Sequence, residues 1–158
     1  MTILLAPDKF KGSLSAMQVC DALREELISA NPKFKIIALP IADGGEGSCE
    51  LLTLYSKGNF VNVRVRDPLA REIDSGYGVS RDGKTAFLEM AKASGLQLLR
   101  KDERNPMLTT TLGTGDLIRH ALNRGVEKII MGVGGSGTND GGIGMAESLG
   151  VIYYSATG

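Results

Sequence analysis

Apolar residues follow two rhythms along this 158-residue chain. The runs at residues 3–6, 34–39 and 128–133 are near-continuously apolar, and each leads into glycine and then a helical pattern. A strand covered on both faces reads this way, and a helix after it carries the chain back for a parallel neighbour. These are βα units of a largely parallel sheet with flanking helices. Spacing of 3.6 residues predicts helices over 15–30, 46–56, 114–124 and 142–149, the first with the stripe Ala16, Val19, Cys20, Leu23 and Leu27. Ser13 or Ser15, Thr114 and Asp140 are the candidate N-caps, since a short side-chain oxygen there can accept from a first-turn N–H.

Residues 59–90 keep a period of two. Val61, Val63 and Val65 alternate with Asn62, Arg64 and Arg66, Asp67-Pro68 turns the chain, and two further strands meet at Arg81-Asp82-Gly83. This segment is a meander or insertion with antiparallel or mixed pairing. Residues 151–154 open like another strand just before the sequence stops, so the chain is expected to be part of a larger protein. No repeat, low-complexity tract or linker marks an internal boundary.

Charge narrows the partners. Eighteen basic and eighteen acidic residues balance, without a basic block and with only four Tyr and four Phe, which speaks against nucleic acid and for a small metabolite. The opening MTILLAPDKFKG has a four-residue apolar run with no basic region before it, so neither a signal peptide nor a membrane span is expected and the location expected is cytoplasmic. Cys20 and Cys49 lie far apart without a CxxC spacing and are expected to be reduced packing residues. His120, the single histidine, cannot build a His-based metal cluster or a Ser-His-Asp set and is expected to be structural.

The chemistry sits in the loops after the strands, where open α/β sheets bind ligands. Residues 131–144, MGVGGSGTNDGGIG, combine seven glycines with Ser136, Thr138 and Asn139. Glycines let backbone N–H groups converge on an anion, and phosphate is the expected guest. Asp140 would repel a bare phosphate unless it caps the next helix, holds Mg²⁺ or takes a proton from a hydroxyl. After the first strand, Lys9 and Lys11 could neutralise phosphate or a substrate carboxylate; after the second, Asp43-Gly44-Gly45-Glu46 offers two carboxylates beside paired glycines, suited to general-base or Mg²⁺ duty or to a capping turn. Thr109-Thr110-Thr111-Leu112-Gly113 offers hydroxyls and glycine ahead of a helix, for a hydroxy-acid or a phosphate. Glu89, a carboxylate inside an apolar run, must be paired or functional.

Two motif matches conflict with their context. Residues 78–85 satisfy the Walker A pattern, yet Ile73, Ser75, Tyr77 and Val79 alternate toward an Asp-Gly turn, which predicts a hairpin. Residues 132–137 match G-x-G-x-x-G, but Thr-Asn-Asp-Gly-Gly delays the helix and the acidic residue expected about twenty positions on is missing. The second match keeps an alternative open: an NAD(P)-binding Rossmann-type oxidoreductase or a non-catalytic nucleotide-binding module.

Five segments together, APDKFKGSLSA from residue 6, ADGGEGS from 42, LEMAKASGL from 88, TTTLGTGDLI from 109 and GVGGSGTNDGGIGMAESLG from 132, resemble the bacterial class I glycerate kinases. The resemblance runs the length of the chain in the family's order, with small swaps such as Ser48 where the family often has Thr. It implies that residues 1–158 are the N-terminal portion of a longer protein of two α/β domains, so part of the site lies elsewhere in that polypeptide. It implies transfer of the ATP γ-phosphoryl to D-glycerate with Mg²⁺, giving 2-phosphoglycerate rather than 3-phosphoglycerate. It also places Lys9, Lys11, Asp43, Gly44, Gly45, Glu46 and residues 134–142 in the nucleotide and glycerate cleft. Chemically, Gly134, Gly135, Ser136 and Gly137 would cradle phosphates with Thr138, Asn139 and Lys11, while Lys9 stabilises the equatorial oxygens. Gly44, Gly45, Glu46, Thr111 and Gly113 would meet glycerate, and Asp43 or Asp140 would orient its hydroxyl or Mg²⁺.

Overall fold

The computed structural model describes residues 1–155. The chain divides into two compact units, Met1–Asp43 and a larger one from Gly44 onward, and the division falls inside the segment ADGGEGS.

The first unit is a βαβ turn of chain. Strand β1 (Thr2–Leu5) and strand β2 (Lys35–Ala38) pair in parallel, with Ile3 opposite Ile36 and Leu5 opposite Ala38, and α1 (Ala16–Ala30) crosses between them. The choice between Ser13 and Ser15 falls to Ser15, whose hydroxyl accepts from the Gln18 N–H while the Gln18 side chain accepts from the Ser15 N–H. This reciprocal box satisfies first-turn donors that the helix cannot reach. Helix α1 buries Ala16, Val19 and Cys20 from the expected stripe.

The larger unit runs α2 (Ser48–Tyr55), β3 (Asn59–Arg66), β4 (Glu72–Val79), β5 (Thr85–Glu89), α3 (Ala91–Ser94), two 3-10 turns (Leu96–Leu98 and Lys101–Glu103), α4 (Leu112–Asn123), β6 (Lys128–Gly132) and α5 (Ile143–Ser148). Its sheet has the order β3-β4-β5-β6, antiparallel through β5 and parallel between β5 and β6. The fold is therefore α/β with one parallel and one mixed sheet among the described residues, and the period-two segment is the antiparallel part. Val65, Tyr77, Ala86, Leu88, Ala93, Leu117, Ala121 and Val126 form the core between sheet and helices. Walker-like residues 78–85 are a hairpin, as their alternation predicts: Ser80 N–H donates to Thr85 O, Gly83 N–H donates to Ser80 O, and Thr85 opens a strand.

Three sequence expectations need correction. Thr114 is not a cap, because α4 starts earlier, at Leu112; Thr114 is fully buried in the first turn, where its hydroxyl meets Ser94 Oγ at 2.7 Å. Helix α2 starts at Ser48, two residues later than its periodicity predicts, since the glycines before it are held against another loop. Residues 151–154 form no strand among the described residues and are exposed, with the Val151 N–H turned back onto Ala146 O. Among the described residues no helix is long and apolar enough to cross a membrane.

Buried polar contacts tie the helices to the sheet edge. Asp116 on α4 accepts from Arg66 Nε at 2.8 Å and Nη2 at 2.6 Å, from Arg119 Nη2 at 3.0 Å and from the Ser148 hydroxyl at 2.7 Å, joining β3, α4 and α5. His120 meets Tyr77 Oη through Nδ1 at 2.9 Å, with the rings edge to face, so the single histidine is built into the packing.

Candidate functional site

In the first unit the loops after β1 and β2 bring two expected catalytic residues together. Lys9 Nζ lies 3.7 Å from Asp43 Oδ1, with the lysine 13% and the aspartate 60% exposed along their side chains. The Lys9 backbone N–H donates to the Asp8 carboxylate at 2.7 Å. An ion pair with one partner so open contributes only about 0–1 kcal/mol. Lys11 is exposed on the same loop.

In the larger unit four loops converge. Gly134 N–H donates to Gly44 O at 3.0 Å, and a Cβ on Gly134 would fall 2.8 Å from Gly45 Cα, so these backbones touch only because neither carries a side chain. Next along the loop, Leu96 N–H donates to Gly135 O at 3.0 Å and Gly137 N–H donates to Ser94 O at 2.8 Å, a short antiparallel bridge to the end of α3. Then Asp140 reaches Thr110 and Thr111 at the start of α4. The glycine-rich stretch is thus pinned at Gly134, at Gly135 and Gly137, and at Asp140.

These bonds change the reading of the glycines. The N–H groups of Gly134 and Gly137 are engaged by protein carbonyls and those of Gly142 and Gly144 by Asp140. Gly135 and Ser136 lie exposed between these anchors, and their N–H groups are candidates for an anion, with the Asn139 side chain nearby in sequence. Thr138 Oγ1 is buried yet finds no hydrogen-bond partner among the described residues. An orphaned buried hydroxyl costs about 1–3 kcal/mol unless a ligand meets it, so this atom fits a bound phosphate oxygen. On the glycerate side of the sequence reading, Gly45 is buried and Glu46 exposed, Thr111 is buried against Asp140, and Gly113 packs so closely under β3 that a Cβ there would lie 1.7 Å from Arg66 O.

Asp140 and Glu89, both in this unit, have opposite electrostatics. Burial opposes ionisation of Asp140, but the Thr111 N–H and hydroxyl and the Gly142 and Gly144 N–H groups outweigh it and hold the carboxyl below its ordinary range. Burial pushes the Glu89 carboxyl up, although the Cys49 N–H donates to it at 2.6 Å. Glu89 stands at the end of β5 and binds the first turn of α2, which makes it a paired residue. Its sequence signal was correct in kind, but the partner lies 40 residues away. The role of Ser94-Gly95-Leu96 in pinning the loop went unread; only the glycine of LEMAKASGL signalled a close approach.

Among the described residues no three His, Cys, Asp or Glu side chains converge on a cation-sized site. Nucleotide-borne Mg²⁺ does not require one, since one or two carboxylates plus phosphate oxygens complete its shell. Asp43 fits that single-carboxylate part by its exposure.

A profile described as the Glycerate kinase family matches residues 3–158. This chain belongs to the glycerate kinase family. A glycerate kinase of Bacillus cereus is 46% identical over 158 residues, covering 100% of this chain and 42% of the relative. A glycerate 2-kinase of Escherichia coli is 44% identical, again over 100% of this chain and 42% of the relative. A solved structure from Salmonella typhimurium, assigned as a glycerate kinase 2, superposes with a TM-score of 0.84 at 47% identity, covering 100% of this chain and 42% of that one. The chain spans 42% of the length of these glycerate kinase relatives. The converging loops all lie inside the segment matched to the family.

Proposed function

We propose that this chain forms the N-terminal part of an ATP-dependent glycerate kinase of two α/β domains, with Mg²⁺ as cofactor and the 2-hydroxyl of D-glycerate as acceptor. The observation that carries the reading is the meeting of the Gly44, Ser94, Thr110 and Gly134 loops in the larger unit, beside an orphaned Thr138 hydroxyl. Family membership and the name of the Escherichia coli relative favour 2-phosphoglycerate as product. The location proposed with this reading is cytoplasmic.

In this reading the N–H groups of Gly135 and Ser136, with Thr138 and Asn139, bind phosphate oxygens, and Gly134 and Gly137 hold that loop in shape. Lys9 is assigned to the transferred phosphoryl group and Lys11 to the outer phosphates. Gly44, Gly45 and Glu46 shape the glycerate side, and Thr111 and Gly113 support it from behind through the Asp140 contacts and the packing against Arg66. Asp43 is assigned the acceptor hydroxyl: it takes the proton as the glycerate oxygen forms its bond to the γ-phosphorus and the bond from that phosphorus to the ADP oxygen breaks. As the alternative to that role, Asp43, the open one of the two candidate aspartates, would hold Mg²⁺, which supplies positive charge against the phosphate oxygens.

The test is phosphorus NMR of full-length protein with ATP, Mg²⁺ and D-glycerate. The expected product is 2-phosphoglycerate, with Asp43→Asn lowering kcat by about a hundredfold or more and Lys9→Ala weakening ATP or glycerate binding. Absence of any phosphoglycerate ends the proposal, and 3-phosphoglycerate corrects its regiochemistry.

A further inference from the structure

Two roles remain open for Asp140, chemistry or architecture. We propose that Asp140 is a positioning residue: its carboxylate fastens the start of α4 to the start of α5 and so fixes the Gly135–Thr138 stretch for a phosphate chain before any ligand arrives. The proposal rests on the kinase reading above.

The first argument is acceptor capacity. A carboxylate offers about four lone-pair directions. Asp140 meets five donor groups: the Thr111 N–H at 2.8 Å, the Thr111 hydroxyl at 2.9 and 3.1 Å, the Thr110 hydroxyl at 3.3 Å, the Gly142 N–H at 3.1 Å and the Gly144 N–H at 3.1 Å. A general base or metal ligand needs a lone pair facing the substrate, and here both oxygens are engaged by the protein. The low-lying carboxyl follows from the same donors, and a group held so firmly ionised is a weak proton acceptor.

Space is the second argument. Thr111 Oγ1 also accepts from the Met145 N–H at 2.9 Å, so the threonine and the aspartate form one clasp across the two helix starts. Gly144 lets it close, because a Cβ there would lie 2.1 Å from Thr110 Oγ1, 2.8 Å from Leu112 N and 3.0 Å from Asp140 Oδ2. The clasp is the third anchor of the glycine-rich loop, after Gly44 and Ser94. It holds the chain two residues beyond the buried, unpartnered Thr138 hydroxyl. Without it the stretch between Gly137 and Gly142 loses its tether, and preorganised donors become mobile ones.

The experiment uses the full-length protein, and formation of phosphoglycerate by the wild type first checks the reading on which the proposal rests. Asp140→Asn, Thr111→Val, Thr111→Ser and the Asp140→Asn/Thr111→Val double variant are then compared in steady-state kinetics, in calorimetry with a nonhydrolysable Mg-nucleotide, and in amide exchange at residues 142–144. The expected result is a loss of nucleotide affinity of about tenfold or more in Asp140→Asn and in Thr111→Val, with kcat within about threefold of wild type. The double variant should be no worse than the weaker single, because the residues act as one unit. Thr111→Ser, which keeps the hydroxyl, should restore wild-type affinity, and exchange should quicken where the clasp is broken. A fall in kcat of about a hundredfold in Asp140→Asn, at unchanged nucleotide affinity and exchange, would overturn the proposal and place Asp140 at the reacting atoms. Should Asp140→Asn fail to fold, the threonine pair decides: wild-type affinity in Thr111→Val also overturns it.

Discussion

Removing the Asp116 carboxylate is the most direct test of how the larger unit is held together. In Asp116→Ala, Arg66, Arg119 and Ser148 lose their common acceptor, three elements at once. Removing one partner of a buried pair costs about 3–5 kcal/mol. Asp116 is 10% exposed along its side chain, but Arg66 is 33% and Arg119 54% exposed, so water recovers part of the loss and about 2–3 kcal/mol is expected. For a domain of this size that is a fall in Tm of about 4–12 °C. Burial works against the Asp116 charge, but hydrogen bonds from Arg66 and Ser148 outweigh it and hold the carboxyl below its ordinary 3.8. Its stabilisation is therefore present above pH 3.8 and lost as pH falls through the lower folded value. Urea unfolding of wild type and Asp116→Ala should differ by a constant amount above about pH 5, and the gap should narrow on acidification. A difference under about 0.5 kcal/mol at pH 7, or a gap that widens in acid, would refute the argument.

Cys49 should resist alkylation: burial pushes its thiol up to about 11, and its Sγ donates to Phe87 O at 2.9 Å while accepting the Gly78 N–H at 3.1 Å. At pH 8 about a thousandth is thiolate, so native-state iodoacetamide labelling within tenfold of free cysteine contradicts the geometry. Glu89 behaves oppositely to Asp116, because burial raises its carboxyl and the folded state keeps a proton the unfolded chain releases; stability should fall as pH rises from 4.5 to the raised folded value. Glu89→Gln should remove that slope in thermal melts between pH 4 and 8 and change stability at pH 7 by no more than about 1 kcal/mol, whereas a loss above about 2 kcal/mol would mean that the Cys49 N–H requires a charge. Gly134→Ala should cost about 1–3 kcal/mol, because its Cβ would meet Gly45 Cα at 2.8 Å, and nucleotide binding should suffer with it; an unchanged Tm would show that the loops can part freely.

Whatever depends on neighbours within about four positions was legible in the chain itself. The βα units, a serine cap for α1 at Ser13 or Ser15, the period-two segment and its hairpin at residues 80–85 follow from local spacing, and the family follows from the order of five short segments. Helix starts were less legible, since α2 and α4 begin where distant contacts allow: against Gly134 for the loop before α2, and at Asp140 for α4.

Only the tertiary structure decided what the glycines and aspartates do. Composition marked residues 131–144 as a cradle with many N–H donors, but the folded chain itself engages the N–H groups of Gly134, Gly137, Gly142 and Gly144 and leaves Gly135 and Ser136 exposed beside a buried Thr138 hydroxyl. Likewise Asp43 and Asp140 look equivalent as letters, yet one meets Lys9 at the surface and the other is enclosed by five donors. The physical reason is that a hydrogen bond between residues 30 or more apart, such as Thr110 to Asp140, depends on the path of the chain. Periodicity and propensity act over one or two turns, so they determine which elements form; how those elements bring donors and acceptors together is set by packing.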